Sequence, residues 1–516
     1  MTSDGVVSLL RFDAPPRRDW EDLVRRSLRG DSLDTLVGRT AEGLDIEPLY
    51  TAEGHPTSGD PGGLPGGAPF TRGGHRVPER WELRQRHDLT DPAETAGTIR
   101  SDVAGGANAI WLRLSRPPGP GELLTALAGV NPTEVRVFVD GGPWFAAAAE
   151  ATAALATAAL ATAAPTGRLV AGADPLGALA RHGFLLSEVD DALAQLVPLV
   201  QAIRRRRHRN GDSAGPAGAR PVTLDATVYA DAGAPPALEL ACMLATGVAY
   251  LRALEAGGIE PQPAARHIEA RLVATADQFA TICKLRAARM LWDRALAACD
   301  VATSGRRALR CWAVTSEAMF VTQDPFVNLV RATTAAFAAA AGGADCITVL
   351  PYDVALGDVA LGDVALGDVA LGPPGERGRR LARNISHLLA DEADLGAVTD
   401  PAGGSWYAED RTARLAEAAW EQFRRIEAAG GMAEALGDGS LAARIDQAAE
   451  RRREGLAGGA EHVVGVTCYL PPASGEGSGS DPAGSSAPVA RRAQTPPDAA
   501  VCIPPLPLRR PGSEQS

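Results

Sequence analysis

The residue types that most often carry out catalysis are few and dispersed in this sequence. The eight histidines show no metal-ligand spacing; they are His55, His75, His87, His182, His208, His267, His387 and His462. The sequence also lacks a GxGxxG fingerprint, a Walker loop, a GxSxG motif and an HExxH motif. The spacing therefore predicts no metal site, and it favours exposed or capping roles for the histidines.

The cysteines are equally scattered. They contain no CxxC pair and follow no secretory signal; they are Cys242, Cys283, Cys299, Cys311, Cys346, Cys468 and Cys502. This usage is typical of reduced thiols and predicts a cytoplasmic protein.

Lys284 is the only lysine in the chain. The segment 276–292 places it beside Arg286 and Arg289 among apolar residues, a pattern that predicts an amphipathic helix with a cationic side. We expect Lys284 to tie this helix to a loop by charge pairing, because no neighbour that would lower its pKa can be read from the sequence.

Short apolar strands alternate with longer helices from about residue 81. Strands are predicted at 109–114, 135–139, 168–171, 222–226, 309–314 and 346–350. Helices are predicted at 93–104, 144–164, 187–207, 236–256, 266–299, 325–341, 376–392 and 409–430. This alternation predicts an α/β fold, specifically a (β/α)₈ TIM barrel.

Composition divides the chain into three parts. Residues 1–54 are predicted to form an N-terminal helical arm, residues 55–470 the barrel, and residues 471–516 a disordered tail rich in Pro, Gly and Ser. Inside the barrel, Asp353-Val-Ala-Leu-Gly occurs four times without a break through Gly372, which predicts an expanded surface loop.

Charge and hydropathy exclude two classes of function. The 516 residues carry a formal charge of −12 and contain no run of twenty apolar residues. An acidic chain without an apolar span indicates neither a nucleic-acid groove nor a membrane protein.

A series of short segments occurs in a recognisable order. They are Pro69-Phe-Thr-Arg-Gly73, Trp81-Glu-Leu-Arg-Gln85, Lys284-Leu-Arg-Ala-Ala-Arg-Met-Leu-Trp292, Gln323-Asp-Pro325, Arg383-Asn384, Asp400-Pro-Ala-Gly-Gly-Ser405 and Gly430-Gly-Met432. Together they resemble the coenzyme B12-dependent acyl-CoA mutases, the methylmalonyl-CoA mutase family in particular, over roughly residues 19–470.

The resemblance implies a barrel that threads the pantetheine arm of acyl-CoA along its axis, after an N-terminal arm used in subunit contacts. In this family a C-terminal flavodoxin-like domain binds cobalamin through the histidine of a DxHxxG motif. No histidine here follows an aspartate at that spacing. The resemblance therefore implies that this chain lacks that domain and that a partner subunit binds the adenosylcobalamin.

Three positions depart from the family's catalytic pattern. Arg86 stands where active chains have a tyrosine, and Val228 stands where they have a histidine that donates a hydrogen bond to the thioester carbonyl. Val273 stands where they have a serine. Because valine can neither donate nor titrate, the resemblance implies no catalytic residue in this chain.

Other positions match the family's substrate pocket. Arg84, Arg271 and Gln323 are retained, which implies a vestigial substrate-binding site. At the CoA entrance the resemblance places Glu79 and Glu82, and we expect these two carboxylates to repel CoA phosphates.

The sequence is thus similar to the small, non-catalytic subunit of heterodimeric methylmalonyl-CoA mutases. That resemblance implies a large catalytic partner that interconverts (R)-methylmalonyl-CoA and succinyl-CoA by an adenosylcobalamin radical mechanism, and inactivity of this chain alone. Two alternatives stay open. One is the catalytic barrel of a split isobutyryl-CoA-type mutase with a separate cobalamin subunit, and the other is a non-enzymatic interaction protein with the mutase fold.

Overall fold

A computed structural model describes most of the chain. The described residues are 15–53, 62–119, 121–131, 133–160, 168–209, 220–358, 365–366, 369–370, 375–471 and 499–511. The chain divides into two compact units, residues 1–57 and 58–516.

The second unit is built on eight parallel strands. They are β1 Glu82–Leu89, β2 Ala109–Leu114, β3 Arg136–Asp140, β4 Leu169–Gly172, β5 Val222–Asp225, β6 Ile268–Ala274, β7 Arg310–Thr315 and β8 Cys346–Thr348. Consecutive strands pair from β1 to β4 and from β5 to β8, and β8 returns to β1 with Cys346 opposite Glu82. Between β4 and β5 the ring closes where Ala173 N donates to Pro221 O at 2.8 Å and Thr223 N donates to Ala173 O at 3.0 Å. The predicted (β/α)₈ barrel is confirmed.

Helices precede, surround and follow the strands. They are α1 Arg17–Ser27, α2 Pro92–Ala104, α3 Glu122–Ala126, α4 Phe145–Leu160, α5 Pro175–His182, α6 Val189–Ala194, α7 Leu196–Arg209, α8 Thr227–Asp231, α9 Pro236–Ala256, α10 Pro261–Ala265, α11 Gln278–Ala298, α12 Val327–Ala341, α13 Glu376–His387, α14 Trp406–Ala428, α15 Met432–Gly437 and α16 Ser440–Ala457.

The helix predicted over 266–299 is wrong in its first third. Residues Ile268–Ala274 form the barrel strand β6, and α11 begins only after Asp277, whose side chain accepts from Ala280 N and caps it. The strand is buried on both faces and carries charges that point into the lumen, so it lacks the polar–apolar alternation of a half-buried strand. Strand β1 is absent from the predicted strands because six of its eight residues are polar or charged, which hides its strand pattern.

Helix α9 lies in the core between the barrel and α14. It is the one described helix that is long and apolar enough to cross a membrane, and 83% of its apolar window is buried in the fold. Lys284 Nζ on α11 contacts Glu239 Oε2 on α9 at 2.5 Å, and both side chains are buried. The expected charge pairing therefore exists, but it joins two helices rather than a helix and a loop.

The first unit contains α1 and a short antiparallel pair, Gly38–Arg39 with Asp45–Ile46. Helix α1 buries none of its residues, and Leu23 and Leu36 are exposed.

The prediction of a disordered tail over 471–516 is wrong for residues 499–511. Val501 and Cys502 pair antiparallel with Leu185 and Phe184 in the second unit, and Leu506 is buried. This short stretch carries apolar side chains that the Gly- and Ser-rich residues before it lack, and it gains enough burial to order. Residues 472–498 and 512–516 lie outside the described residues.

The repeat is also not wholly at the surface. Its first copy, Asp353–Leu356, is buried at the end of the barrel. The remaining copies lie largely outside the described residues, apart from the antiparallel pair Ala365–Leu366 and Val369–Ala370.

Candidate functional site

Five large side chains fill the middle of the barrel lumen. Trp111, Phe138 and Trp312 meet edge to face, with ring centroids 4.8 Å apart for Trp111–Trp312 and 5.4 Å for Phe138–Trp312. The guanidinium carbons of Arg84 and Arg271 lie 4.0 and 4.2 Å from the Trp312 ring centroid. We call these five residues the aromatic plug. None is more than 4% exposed, so the plug leaves no open passage at this level.

Ion pairs lie below the plug, toward the amino ends of the strands. Arg84 donates to Glu82 Oε1 at 2.6 Å and approaches Glu269 at 3.4 Å. Arg310 Nη2 contacts Glu82 Oε2 at 3.0 Å, and Arg136 Nη1 contacts the same oxygen at 3.4 Å. Burial alone would raise the pKa of the Glu82 carboxyl, but these three arginines outweigh it and lower the pKa to about 2. The expected repulsion by Glu82 is therefore wrong, because its charge is compensated within the protein.

A cleft of about 300 Å³ opens at this amino-terminal mouth. Arg136, Arg168 and Arg310 line it together with His75 and Asp345. His75 Nε2 lies 3.2 Å from Asp345 Oδ1. The hydrogen bond that His75 makes to the Asp345 carboxylate raises the pKa of His75 in spite of partial burial.

Glu79 also lines this cleft. Its side chain is 52% exposed and lies 3.2 Å from His75 Nδ1. The walls therefore combine arginines with carboxylates, and Glu82 and Glu79 do not form an uncompensated acidic surface.

Above the plug, toward the carboxyl ends of the strands, a second ion-pair network begins. Arg271 Nη1 donates to Asp140 Oδ2 and to Asp225 Oδ2, both at 3.0 Å. Arg181 Nη2 donates to Asp225 at 2.9 Å and to Thr227 Oγ1 at 2.8 Å. Burial would raise the pKa of Asp225, but Arg271 and Arg181 outweigh it and lower the pKa well below the ordinary range.

The positions that depart from the family's catalytic pattern lie around this carboxyl-terminal mouth. Arg86 Nη1 contacts Glu317 Oε1 at 3.0 Å. Val228 is buried in α8, directly after β5. Val273 lies near the end of β6, where its backbone N donates to Glu239 Oε1 at 2.9 Å. Arg86 is thus held in an internal ion pair, and the other two positions carry aliphatic side chains.

Two carboxyls at the same mouth have raised pKa values. Burial, together with the charge of Asp225, raises the pKa of Asp174 to about 7. Burial and the nearby Glu317 raise the pKa of Asp231 to about 6. Sequence reasoning missed both residues, although the Asp174-Pro175 pair that caps α5 directly after β4 is a readable signal.

The structure brings together two of the three predicted substrate-binding residues. Arg84 and Arg271 both stack on Trp312 within the plug. Gln323 is exposed on the loop after β7, where its Oε1 accepts from Thr322 Oγ1 at 3.4 Å, and so lies outside this buried cluster.

The described residues offer no obvious metal site. None of them forms a group of three or more His, Cys, Asp and Glu side chains that could hold a metal ion. His87 instead contacts Asp102 at 3.1 Å and Thr98 at 3.2 Å, and His387 contacts Gly105 O at 3.1 Å.

Comparison with known proteins gives a consistent assignment. The family model for methylmalonyl-CoA mutase matches residues 215–480. The methylmalonyl-CoA mutase small subunit of Streptomyces virginiae is 38% identical over 480 residues, which cover 90% of this chain and 72% of that protein. A probable small subunit of Mycobacterium tuberculosis (strain ATCC 25618 / H37Rv) is 36% identical over 85% of this chain and 67% of its own length. The large subunit of Streptomyces virginiae is 29% identical over 87% of this chain and 61% of its own length.

Proposed function

The chain belongs to the methylmalonyl-CoA mutase family, and from that premise we propose that it is the small, non-catalytic subunit of a heterodimeric mutase. Its large partner would interconvert (R)-methylmalonyl-CoA and succinyl-CoA. The greater identity to small subunits, 38% against 29% for the large subunit from the same organism, supports this assignment.

The aromatic plug is the observation that carries the non-catalytic part of the proposal. A barrel that threads a pantetheine arm along its axis needs an open lumen from one mouth to the other. Here side chains from β1, β2, β3, β6 and β7 fill that axis, and each is almost wholly buried. Opening a passage would expose two tryptophans and separate two arginines from their carboxylates, which makes substrate entry strongly unfavourable.

The residues above the plug support the same proposal. An acyl-CoA rearrangement needs a donor aimed at the thioester carbonyl. Val228 has no donor, and the guanidinium of Arg86 is engaged by Glu317. We therefore assign no catalytic role to the carboxyl-terminal mouth of this barrel.

Cobalamin is the cofactor of this family, and the described residues of this chain do not fit it. No histidine of the sequence stands two residues after an aspartate, as the DxHxxG motif requires. The carboxyl-terminal mouth carries the Arg86–Glu317 pair, and residues 499–511 lie along it. We propose that the large partner binds the adenosylcobalamin.

The N-terminal arm is proposed to make subunit contacts. Helix α1 has Trp20, Leu23 and Val24 on its surface and buries none of its residues. Apolar side chains on an amphipathic helix that buries none of its residues are typical of an interaction surface. A cytoplasmic location stays a prediction; all seven cysteines are free thiols, which is consistent with it.

Co-expression with a large mutase subunit that carries a DxHxxG motif tests the proposal. We expect a tagged form of this chain to retain the large subunit in a 1:1 complex, as measured by size-exclusion chromatography with light scattering. We expect methylmalonyl-CoA turnover from the complex, and none from this chain alone with adenosylcobalamin. Val228→Ala in this chain should leave the kcat of the complex within about twofold, since valine and alanine both lack a donor.

Two results would contradict different parts of the proposal. Turnover by this chain alone, or with a separate cobalamin-binding protein, would overturn its non-catalytic status. Failure to retain any large subunit would overturn the partnership and favour a free-standing protein.

A further inference from the structure

Residues 499–511 lie along the carboxyl-terminal mouth of the barrel, and we call them the strap. Their backbone makes a regular series of hydrogen bonds. Ile503 N donates to Gly183 O at 2.8 Å, Leu506 N to Ala180 O at 2.8 Å, and Arg509 N to Asp231 O at 2.9 Å. Every third amide of the strap therefore donates to a backbone carbonyl of the barrel. The first acceptors lie at the end of α5, which follows β4, and the last lies at the end of α8, which follows β5. The strap thus runs from the β4 side of the mouth to the β5 side.

Apolar contacts fix the middle of the strap. Leu506 is buried against the main core cluster, and Val501 and Ile503 pack against the same cluster. Four prolines, Pro504, Pro505, Pro507 and Pro511, hold the backbone extended and reduce the entropy lost on docking. This combination of apolar anchors and an extended proline-rich backbone is a recurring mode of peptide recognition.

The barrel surface leaves room for the strap at one position in particular. Gly183 has φ of +80°, and a Cβ placed there would lie 2.6 Å from Ile503 O and 2.9 Å from Pro505 Cδ. The strap can approach this closely because residue 183 has no side chain.

Two arginine contacts hold the far end of the strap. The mouth beside it carries five carboxyl groups, of which Asp140, Asp225 and Glu317 are paired with Arg271, Arg181 and Arg86; the other two are Asp174 and Asp231. The strap brings two arginines to this region. Arg509 Nη2 contacts Asp446 of α16 at 2.5 Å, and Arg510 Nε donates to Glu317 O at 3.3 Å.

We propose that the carboxyl-terminal mouth is a docking surface for an extended, proline-rich segment with basic residues, and that its occupant is the strap of the same chain. The strap therefore excludes any other polypeptide from this mouth until it leaves. The inference concerns this chain alone and does not rest on the proposed mutase partnership.

Amide hydrogen exchange of the full chain tests the docking. In the wild type we expect protected amides at Ile503, Leu506 and Arg509. Leu506→Asp should raise the exchange rate of the strap at least about tenfold and leave the amides of β6 and β7 unchanged, because a buried carboxylate opposes docking. Leu470→Asp is the matched control: it makes the same substitution at an exposed leucine and should leave the strap protected.

Exchange of strap amides at the rate of an unstructured peptide in the wild type would overturn the proposal, as would undiminished protection in Leu506→Asp. If Leu506→Asp also exposed β6 and β7, the double variant R509E/R510E would replace it, since both residues lie at the edge of the mouth. It should raise strap exchange severalfold, because it removes the Arg509–Asp446 ion pair and the hydrogen bond from Arg510 to Glu317 O, and an unchanged rate would overturn the proposal.

Peptide binding tests whether the carboxyl-terminal mouth binds the strap sequence when it is supplied as a separate molecule. A labelled synthetic peptide of residues 499–511 should bind the Leu506→Asp chain, as measured by fluorescence anisotropy, and should not bind the wild type. The same peptide carrying Leu506→Asp should bind neither. Lack of binding to the opened chain would overturn the docking surface, and strap protection that falls on dilution would show that the occupant comes from a second copy.

Discussion

The two mouths of the barrel differ in charge and in access. The amino-terminal mouth is an open cleft of about 300 Å³ whose walls include Arg136, Arg168 and Arg310. The carboxyl-terminal mouth holds Asp140 and Asp225 in buried ion pairs with Arg271, and the strap lies along it. The aromatic plug separates the two.

Single strands build both mouths and the plug. On β3, Arg136, Phe138 and Asp140 point inward at successive levels: an arginine at the entrance, an aromatic ring in the plug, and an aspartate at the far end. Because side chains alternate along a strand, one strand can reverse its charge between its ends while filling its middle. The ring of strands therefore stays regular, although side chains block the lumen at its centre.

Removing one tryptophan of the plug tests how tightly the plug packs between the two mouths. Trp312→Ala should lower the free energy of unfolding by about 4 kcal/mol, because it leaves a cavity and removes the surface on which Arg84 and Arg271 stack. Chemical denaturation measures this loss. Trp312→Phe should cost less, and a loss below about 1 kcal/mol for Trp312→Ala would mean that the lumen is loosely packed.

Removing one arginine from each mouth sharpens the comparison. Arg271→Met should cost about 3 kcal/mol, because it leaves Asp140 and Asp225 buried without one of their counter-ions. Arg310→Met should cost less, since Arg310 is more exposed and Glu82 keeps Arg84 and Arg136. Equal costs in urea unfolding would contradict the difference between the mouths.

At the carboxyl-terminal mouth, stability should fall as pH rises through the acid range. The pKa of Asp174 is about 7 in the folded protein, above its ordinary value, so the folded state holds a proton that the unfolded chain has already lost. This residue should therefore cost about 2 kcal/mol of stability between pH 5 and pH 7. Unfolding of Asp174→Asn at both pH values should lack this part of the dependence, and an identical slope in wild type and variant would contradict it.

The amino-terminal mouth should respond at higher pH and more weakly. The pKa of His75 is raised by its hydrogen bond to Asp345, so its stabilising contribution is present below about pH 6.5 and is lost as pH rises through the raised pKa. Because His75 is half-exposed, His75→Gln should cost less than about 1 kcal/mol at pH 5.5 and almost nothing at pH 9. A larger loss at pH 9 than at pH 5.5 would contradict this sign.

Sequence reasoning predicted the barrel, because most strands are short apolar runs between helices. It missed the plug, since Trp111, Phe138 and Trp312 lie in predicted strands that are apolar on both faces, and such strands do not reveal which side points inward. The resemblance selected Arg84 and Arg271, which lie together in the plug. It could not show that Gln323 lies apart from these two arginines, because the position of Gln323 depends on the conformation of the loop after β7.

The strap was missed for a different reason. Its composition of proline and arginine is also typical of disorder, and only the surface it meets decides whether Leu506 becomes buried.

The buried Lys284 has a consequence for the chemical reactivity of the whole protein. It is the only lysine in the sequence and is held against Glu239 inside the fold. The native surface therefore presents no ε-amine for acetylation, for ubiquitin attachment or for amine-directed cross-linkers. An amine-reactive reagent would modify the Lys284 side chain only after α9 and α11 separate. The fraction of chains labelled at Lys284 would therefore measure the fraction in which these two helices have separated.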